Sequence, residues 1–195
     1  MSSTLGEHTF ARQLAAVRAE PRDAAAQVTQ VLPGEPVTVG EERDGWARVR
    51  TAYDYPGWVR ADELGGEADS RWLEPTAGDP VEWARGLLGT PYLWGGMTER
   101  GIDCSGLVHM SFRATGRLVP RDADQQEEAG TPVDAPEPGD LVTYGDPDGA
   151  ADHVAFWLGD GRILHATGRE GVDAVTEEVE PEELRARRRR TFRLE

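Results

Sequence analysis

The chain has a single cysteine in 195 residues. An internal disulfide and a framework of paired thiols for a metal are therefore excluded, and the lone thiol suits a reducing compartment. No apolar run approaches the roughly 18 residues that a membrane helix needs, which excludes a spanning helix. Basic charge is in deficit, with 21 Lys and Arg against 36 Asp and Glu and a formal net charge of −15. Such a surface repels phosphate backbones, so no nucleic-acid partner is expected. The one basic run, Arg185, Arg187, Arg188, Arg189 and Arg190, follows Glu177, Glu178, Glu180, Glu182 and Glu183 and reads as a solvated, self-compensating cluster. Residues 1–8 lack a basic segment followed by an apolar one, so no secretory leader is read there and a cytoplasmic location is expected.

What is present argues for folded structure: 38% hydrophobic residues, six of them tryptophan, in a chain long enough for one moderate domain or two small ones. Up to about residue 75 the sequence is β-rich. Short runs at 26–31, 36–39, 46–50 and 57–60 are separated by Pro33-Gly34, Asp44-Gly45 and Tyr55-Pro56-Gly57 turns, which describes a small barrel. A polar stretch from Gly65 to Gly78 reads as a linker. Asp79-Pro80 then opens a helix with Asp as its cap, carrying Val81, Ala84, Leu87 and Leu88 inward.

The richest stretch is Thr90-Pro91-Tyr92-Leu93-Trp94-Gly95-Gly96 followed by Gly101-Ile102-Asp103-Cys104-Ser105-Gly106-Leu107. After Asp103, apolar or small residues recur at Leu107, Met110/Ser111 and Ala114, the spacing of a helix with one buried face, until Gly116 offers a C-cap. Cys104 thus falls in the first turn, where unpaired backbone N–H groups and the helix dipole bias a thiol toward thiolate.

A thiolate nucleophile needs a base, and the base needs a group to orient it. Of four histidines, His153 and His165 lie in two strands joined at Gly159-Asp160-Gly161. A three-residue loop there pairs positions summing to 320. Val154, Phe156 and Leu158 then share an apolar face with Leu164 and Ala166, while His153, Trp157, Ile163 and His165 share the other. Diagonal neighbours are roughly 7–8 Å apart, within reach of two imidazoles. A two-residue loop at Asp160-Gly161 would send the histidines to opposite faces. His109 reads as a helix-surface residue and His8 as part of a polar segment, so neither is assigned a role.

Six ordered motifs carry a family resemblance: Tyr92-Leu93-Trp94-Gly95-Gly96, Asp103-Cys104-Ser105-Gly106-Leu107, Val119-Pro120-Arg121-Asp122, Pro138-Gly139-Asp140-Leu141, Asp152-His153-Val154-Ala155 and Ile163-Leu164-His165-Ala166. Over roughly 79–195 the chain resembles the NlpC-like cysteine peptidases of bacterial cell-wall peptides. The resemblance implies an α+β fold: a papain-like catalytic domain at 76–195, with helices packed on an antiparallel sheet. It implies Cys104 as nucleophile, His153 as general base, His165 as its orienting residue and Tyr92 as a donor to the oxyanion beside the Cys104 N–H. Residues 1–75 resemble a bacterial SH3-like domain through 17–21, 34–39, 45–49 and 56–59.

Within that family the chain resembles the cytoplasmic γ-D-glutamyl-L-diamino acid endopeptidases that recycle murein-derived peptides. It implies that Glu20 and Tyr55 of the barrel, with Tyr53 competing for the second place, bind the free amine of an N-terminal L-alanine. Asp103 and Asp122 are implied at the same amine-binding end, where carboxylates without nearby cations are wanted, although Asp103 equally suits a helix N-cap. Ser105 is a candidate for a further hydrogen bond to substrate or for capping. Ala123 stands where relatives commonly have a hydroxyl residue, which removes one such bond. No cofactor or metal is required. Three other readings stay open: a cell-wall-peptide binder with an inactive peptidase fold, an amide hydrolase or acyltransferase on a different amide, and a metal site of Cys104, His153 and His165.

Overall fold

A computed structural model describes residues 7–195, so the reading of a missing leader lies largely outside the described residues. The chain divides into two compact units, 1–73 and 74–195. Among the described residues no helix is long and apolar enough to cross a membrane.

The first unit is all β: β1 (Glu7–Phe10), β2 (Ala15–Arg18), β3 (Gln27–Val31), β4 (Pro36–Arg43), β5 (Trp46–Thr51) and β6 (Pro56–Arg60), in the order β1-β4-β5-β6-β2-β3. Alternation explains its core. Ala47 and Val49 of β5 point inward with Val17, Val31, Val37 and Val59, while Arg48 and Arg50 face out. Asp44 and Gly45, both with positive φ, turn β4 into β5. His8 lies on β1, with its Nδ1 3.3 Å from Thr38 Oγ1.

The second unit opens with α1 (Pro80–Arg85), where Asp79 accepts the Glu82 N–H at 2.8 Å and Pro80 occupies the first turn. The helix is shorter than its sequence pattern predicts. The backbone reverses through Gly89 at φ 84, the Gly89 N–H bonds the Val175 carbonyl, and Leu88 is left 49% exposed instead of facing inward. A short ribbon, β7 (Met97–Thr98) and β8 (Gly101–Ile102), leads into α2 (Cys104–Ala114). Every residue of α2 is buried, so it is a central helix and not the one-faced helix the spacing suggests. His109 is accordingly fully buried, its Nδ1 2.8 Å from the Val119 carbonyl, which corrects its reading as a surface residue.

Next come α3 (Ala123–Ala129), β9 (Thr131–Pro132), β10 (Leu141–Gly145), β11 (Ala151–Gly159), β12 (Arg162–Thr167), β13 (Ala174–Val179), α4 (Glu182–Arg185) and β14 (Arg188–Arg193). The six strands form an antiparallel sheet, β13-β12-β11-β10-β14-β9, with α2 and α3 packed on its middle. Phe112 of α2 stacks on Phe156 of β11 at 6.3 Å. The α+β class expected for this part of the chain is what the structure has.

The β11–β12 hairpin solves its register in a way the alternation alone does not reveal. Phe156 pairs with Leu164 and Trp157 with Ile163, the expected register, but Gly159 pairs with Arg162. Leu158 is therefore a bulge, and the turn is the two residues Asp160 and Gly161, both at positive φ. The inserted residue cancels the one-position slip, so a two-residue turn coexists with both histidines on one face.

Candidate active site

The site begins with Asp103, the N-cap of α2. One oxygen accepts the Gly106 N–H at 2.6 Å and the other the Gly95 N–H at 2.7 Å. Arg121 grips the same carboxylate with both terminal nitrogens, at 3.0 and 2.8 Å, and its side chain is 1% exposed. The first turn of α2 is thereby tied to the Gly95-Gly96 loop. Gly106 makes the approach possible, because a Cβ there would lie 2.4 Å from the Gly96 carbonyl oxygen.

On this platform stand Cys104 and Tyr92. Cys104 is the first residue of α2 and is buried. Burial pushes its thiol up to about 12, helped by the Asp103 charge and opposed by the backbone N–H groups of Val154 and Ser105 that hydrogen-bond the sulfur. The thiolate bias expected from the helix terminus is overridden in this closed environment, and the resting group is a neutral thiol. Tyr92 is half-buried, its backbone N–H held by the Asp173 carbonyl at 3.1 Å. Burial raises its phenol, with further contributions from Cys104 and Asp103, and a backbone bridge to Ile102 holds Tyr92 near the start of α2.

The sulfur's contact with the Val154 N–H puts it next to His153 in the chain. His153 Nε2 lies 2.7 Å from His165 Nδ1, with the rings edge to face at 5.0 Å. His153 is only partly exposed, and burial, then the neighbouring His165 and Arg187, push it down to about 3. The His165 side chain is 0% exposed; its Nε2 is 2.9 Å from Glu178 Oε1. Tyr144 lies 5.7 Å from the His153 ring. A neutral imidazole within hydrogen-bond reach of a neutral thiol takes the thiol's proton as the sulfur attacks, and a row of two rings and a carboxylate can hold the first ring in one orientation.

Other predicted residues take different places. The want of a carboxylate without a nearby cation is not met by Asp103, since Arg121 neutralises it and two backbone amides share its oxygens. Ser105 turns into the same buried cluster, its Oγ 3.4 Å from Asp103 Oδ1 and 2.9 Å from Arg121 Nη1. Asp122 is the half-buried N-cap of α3, in a capping box with Gln125. Glu20 lies in the turn after β2 on the first unit, exposed and 3.1 Å from Arg22. Tyr55 stands just before β6, its backbone N–H on Thr51 Oγ1 at 3.0 Å. The Tyr53 hydroxyl bonds Thr29 Oγ1 and the Gln30 carbonyl, at 3.1 and 3.2 Å, so it is engaged inside the first unit.

Sequence reasoning missed Arg121, Glu178 and Arg169 as parts of the site. Arg121 was visible only as the middle of Pro120-Arg121-Asp122. Glu178 was hidden in the acidic run, which is not the solvated cluster it resembles. The Glu180 side chain is 0% exposed and is gripped by Arg188 at 2.5 and 2.6 Å, with the Tyr144 hydroxyl at 3.0 Å. Among the described residues no group of three or more His, Cys, Asp or Glu is placed to hold a metal ion.

Comparison with known proteins agrees with this geometry. The sequence profile of the NlpC/P60 family matches residues 89–188, and that of the bacterial dipeptidyl-peptidase Sh3 domain matches 17–64. A gamma-D-glutamyl-L-lysine dipeptidyl-peptidase of Bacillus subtilis (strain 168) is 40% identical over 121 residues, covering 58% of this chain and 41% of that protein. A protein of the same name from Bacillus cereus (strain ATCC 10987 / NRS 248) is 35% identical over 96 residues, 47% of this chain and 29% of its own length. The chain thus spans less than half the length of these two curated relatives. The fold is shared with a crystal structure of an NlpC/P60 family protein from Bacillus cereus ATCC 10987, at a TM-score of 0.57 and 23% identity over 97% of this chain and 64% of that one. The chain therefore belongs to the NlpC/P60 family of cysteine peptidases, with a bacterial SH3 domain ahead of its catalytic domain.

Proposed function

We propose that the protein hydrolyses the bond between γ-D-glutamate and an L-diamino acid in murein-derived peptides that begin with a free L-alanine. The observation that carries the chemistry is the 2.7 Å contact between His153 and His165, with the sulfur of Cys104 on the N–H of the residue after His153. In the first step the Cys104 sulfur attacks the amide carbonyl and His153 takes the thiol proton. Tyr92 and the Cys104 N–H stabilise the oxyanion, a contribution of about 3–4 kcal/mol for a single donor of this kind. His153 then gives its proton to the leaving amine, and a thioester remains. Water, deprotonated by His153, attacks the thioester carbonyl; the C–S bond breaks, His153 returns the proton to the Cys104 sulfur, and the acid is freed. No step requires a metal or cofactor.

The choice of bond is supported by the relatives named as gamma-D-glutamyl-L-lysine dipeptidyl-peptidases. A dipeptidyl-peptidase cuts two residues from a chain start, which is the L-alanyl-γ-D-glutamyl unit. The preference for a free amine also rests on the resemblance carried by Glu20 and Tyr55.

The test is incubation with L-Ala-γ-D-Glu-diaminopimelate and with its N-acetylated copy. Cleavage of the first alone, abolished by a thiol alkylating reagent and by Cys104→Ala but untouched by a chelator, is expected. Equal cleavage of both peptides would overturn the amine preference, and binding without turnover of either would overturn the hydrolase reading.

A further inference from the structure

The mechanism above requires one particular tautomer of His153, and the structure contains a device that selects it. A neutral imidazole has one donor and one acceptor nitrogen, and the hydrogen bond on one side decides what the other side offers. His153 meets His165 through Nε2, which leaves Nδ1 as its second nitrogen. For Nδ1 to accept the proton of Cys104, Nε2 must carry a hydrogen and donate it to His165 Nδ1. His165 must then be protonated on Nε2 alone. Nothing within the two rings enforces this, since the reverse arrangement, with every proton moved to the other nitrogen, has an equally good contact between them.

The asymmetry comes from outside the pair. His165 Nε2 faces Glu178 Oε1 at 2.9 Å, and Glu178 is held by Arg169 through both oxygens, at 2.8 and 2.7 Å. Burial alone would raise the Glu178 carboxyl, but the hydrogen bonds from Arg169 and His165 outweigh it and hold it below the usual range. An ionised carboxylate can only accept, and a guanidinium can only donate. The placement is fixed by the strand register: His165 of β12 pairs with Thr176 of β13, and Ile163 with Glu178, so Glu178 is the diagonal neighbour of His165 on the same face.

We infer that Glu178, backed by Arg169, is a positioning residue that fixes the tautomers of His165 and His153 so that His153 presents an unprotonated Nδ1 to Cys104. Glu178 touches neither substrate nor sulfur and acts through the two rings. The inference rests on the assignment of His153 as base, and its test is chosen to succeed or fail apart from the peptide specificity.

Glu178→Gln is the discriminating variant because it keeps the volume and removes the charge. Arg169 Nη2 touches both oxygen positions of Glu178, so it does not choose which end of the amide meets His165 Nε2. The amide can offer its oxygen or its N–H, and the reversed row, with His153 protonated on Nδ1, becomes as accessible as the native one. Glu178→Ala removes the bias as well. Two readouts are needed. Ring nitrogen resonances of His153 and His165 report the tautomers directly in the resting protein. The rate of Cys104 alkylation by iodoacetamide at neutral pH reports the availability of the base, and with one cysteine in the chain the signal has a single source.

The expected result is an Nε2–H form for both rings in the native protein, a mixture of tautomers in Glu178→Gln and in Glu178→Ala, and alkylation slower by about 2-fold in both, the loss expected when about half of the molecules carry the incompetent tautomer. Native tautomers in Glu178→Gln, or native alkylation in both single variants, would overturn the inference. A native protein that is alkylated normally yet fails to cut the peptide would sink the substrate reading and leave this one standing.

Discussion

A carboxylate inside a protein is costly unless its oxygens are paired, and Asp103 shows how many partners that takes. Gly95, Gly106 and both terminal nitrogens of Arg121 surround it, and its side chain is 8% exposed. Such a pair adds little to stability when intact, because both charges have lost their water. Removing one member is another matter, since the other is left buried and uncompensated. Asp103→Ala should therefore destabilise the second unit by about 3–5 kcal/mol in a denaturant titration. A loss below about 1 kcal/mol would mean that Arg121 reaches water once Asp103 is gone. The partnership links positions 18 apart in sequence, and no spacing rule joins Asp103 to Arg121. Cys104, His153 and His165, by contrast, were legible because their requirements are local: a helix start for one and a shared strand face for the others.

The β11–β12 hairpin was readable in its strands and unreadable in its turn. Alternation fixed the pairing of Phe156 with Leu164. It could not reveal that Leu158 bulges, because one inserted residue leaves the pattern intact on both sides. The turn itself makes a clean test. Gly161 sits at φ 71 with nothing within 4 Å of where a Cβ would be, so any penalty for alanine is conformational alone. Gly161→Ala should cost about 1 kcal/mol of stability and leave peptide cleavage unchanged. A loss of cleavage without a change in stability would show that the turn does more than close the hairpin. Helix α2 was legible in its start and its end, but not in its surroundings. Val108, His109, Phe112 and Arg113 lie off the stripe of Leu107, Met110/Ser111 and Ala114 that the spacing turns inward, yet all four are buried because helices and sheet pack around α2.

At the scale of the molecule, pH dependence follows from groups that fold in their neutral form. Burial pushes both His109 and His153 down to about 3 from an ordinary value of 6.5. Between those limits the unfolded chain binds more protons than the folded one, so stability rises with pH through the window and is lost as pH falls from about 6.5 toward 3. The unfolding midpoint at pH 5 should be lower than at pH 7, and His109→Gln, whatever its absolute stability, should show a shallower slope. At the alkaline end the raised Cys104 thiol works the other way: stability is lost as pH climbs from 9 toward 12. All 21 cations of the chain are arginines, so the ion pairs of Asp103, Glu178 and Glu180 keep their positive partner across this whole range. An opposite slope below pH 6.5 would mean that the histidines are charged at rest.

The clasp of Asp103 on both the Gly95-Gly96 loop and the first turn of α2 has a kinetic corollary. The loop that follows Tyr92 and the turn that begins at Cys104 hang from one carboxylate, so they come together when the chain folds and not when a guest arrives. Discrimination at that spot is then a matter of shape at the moment of entry.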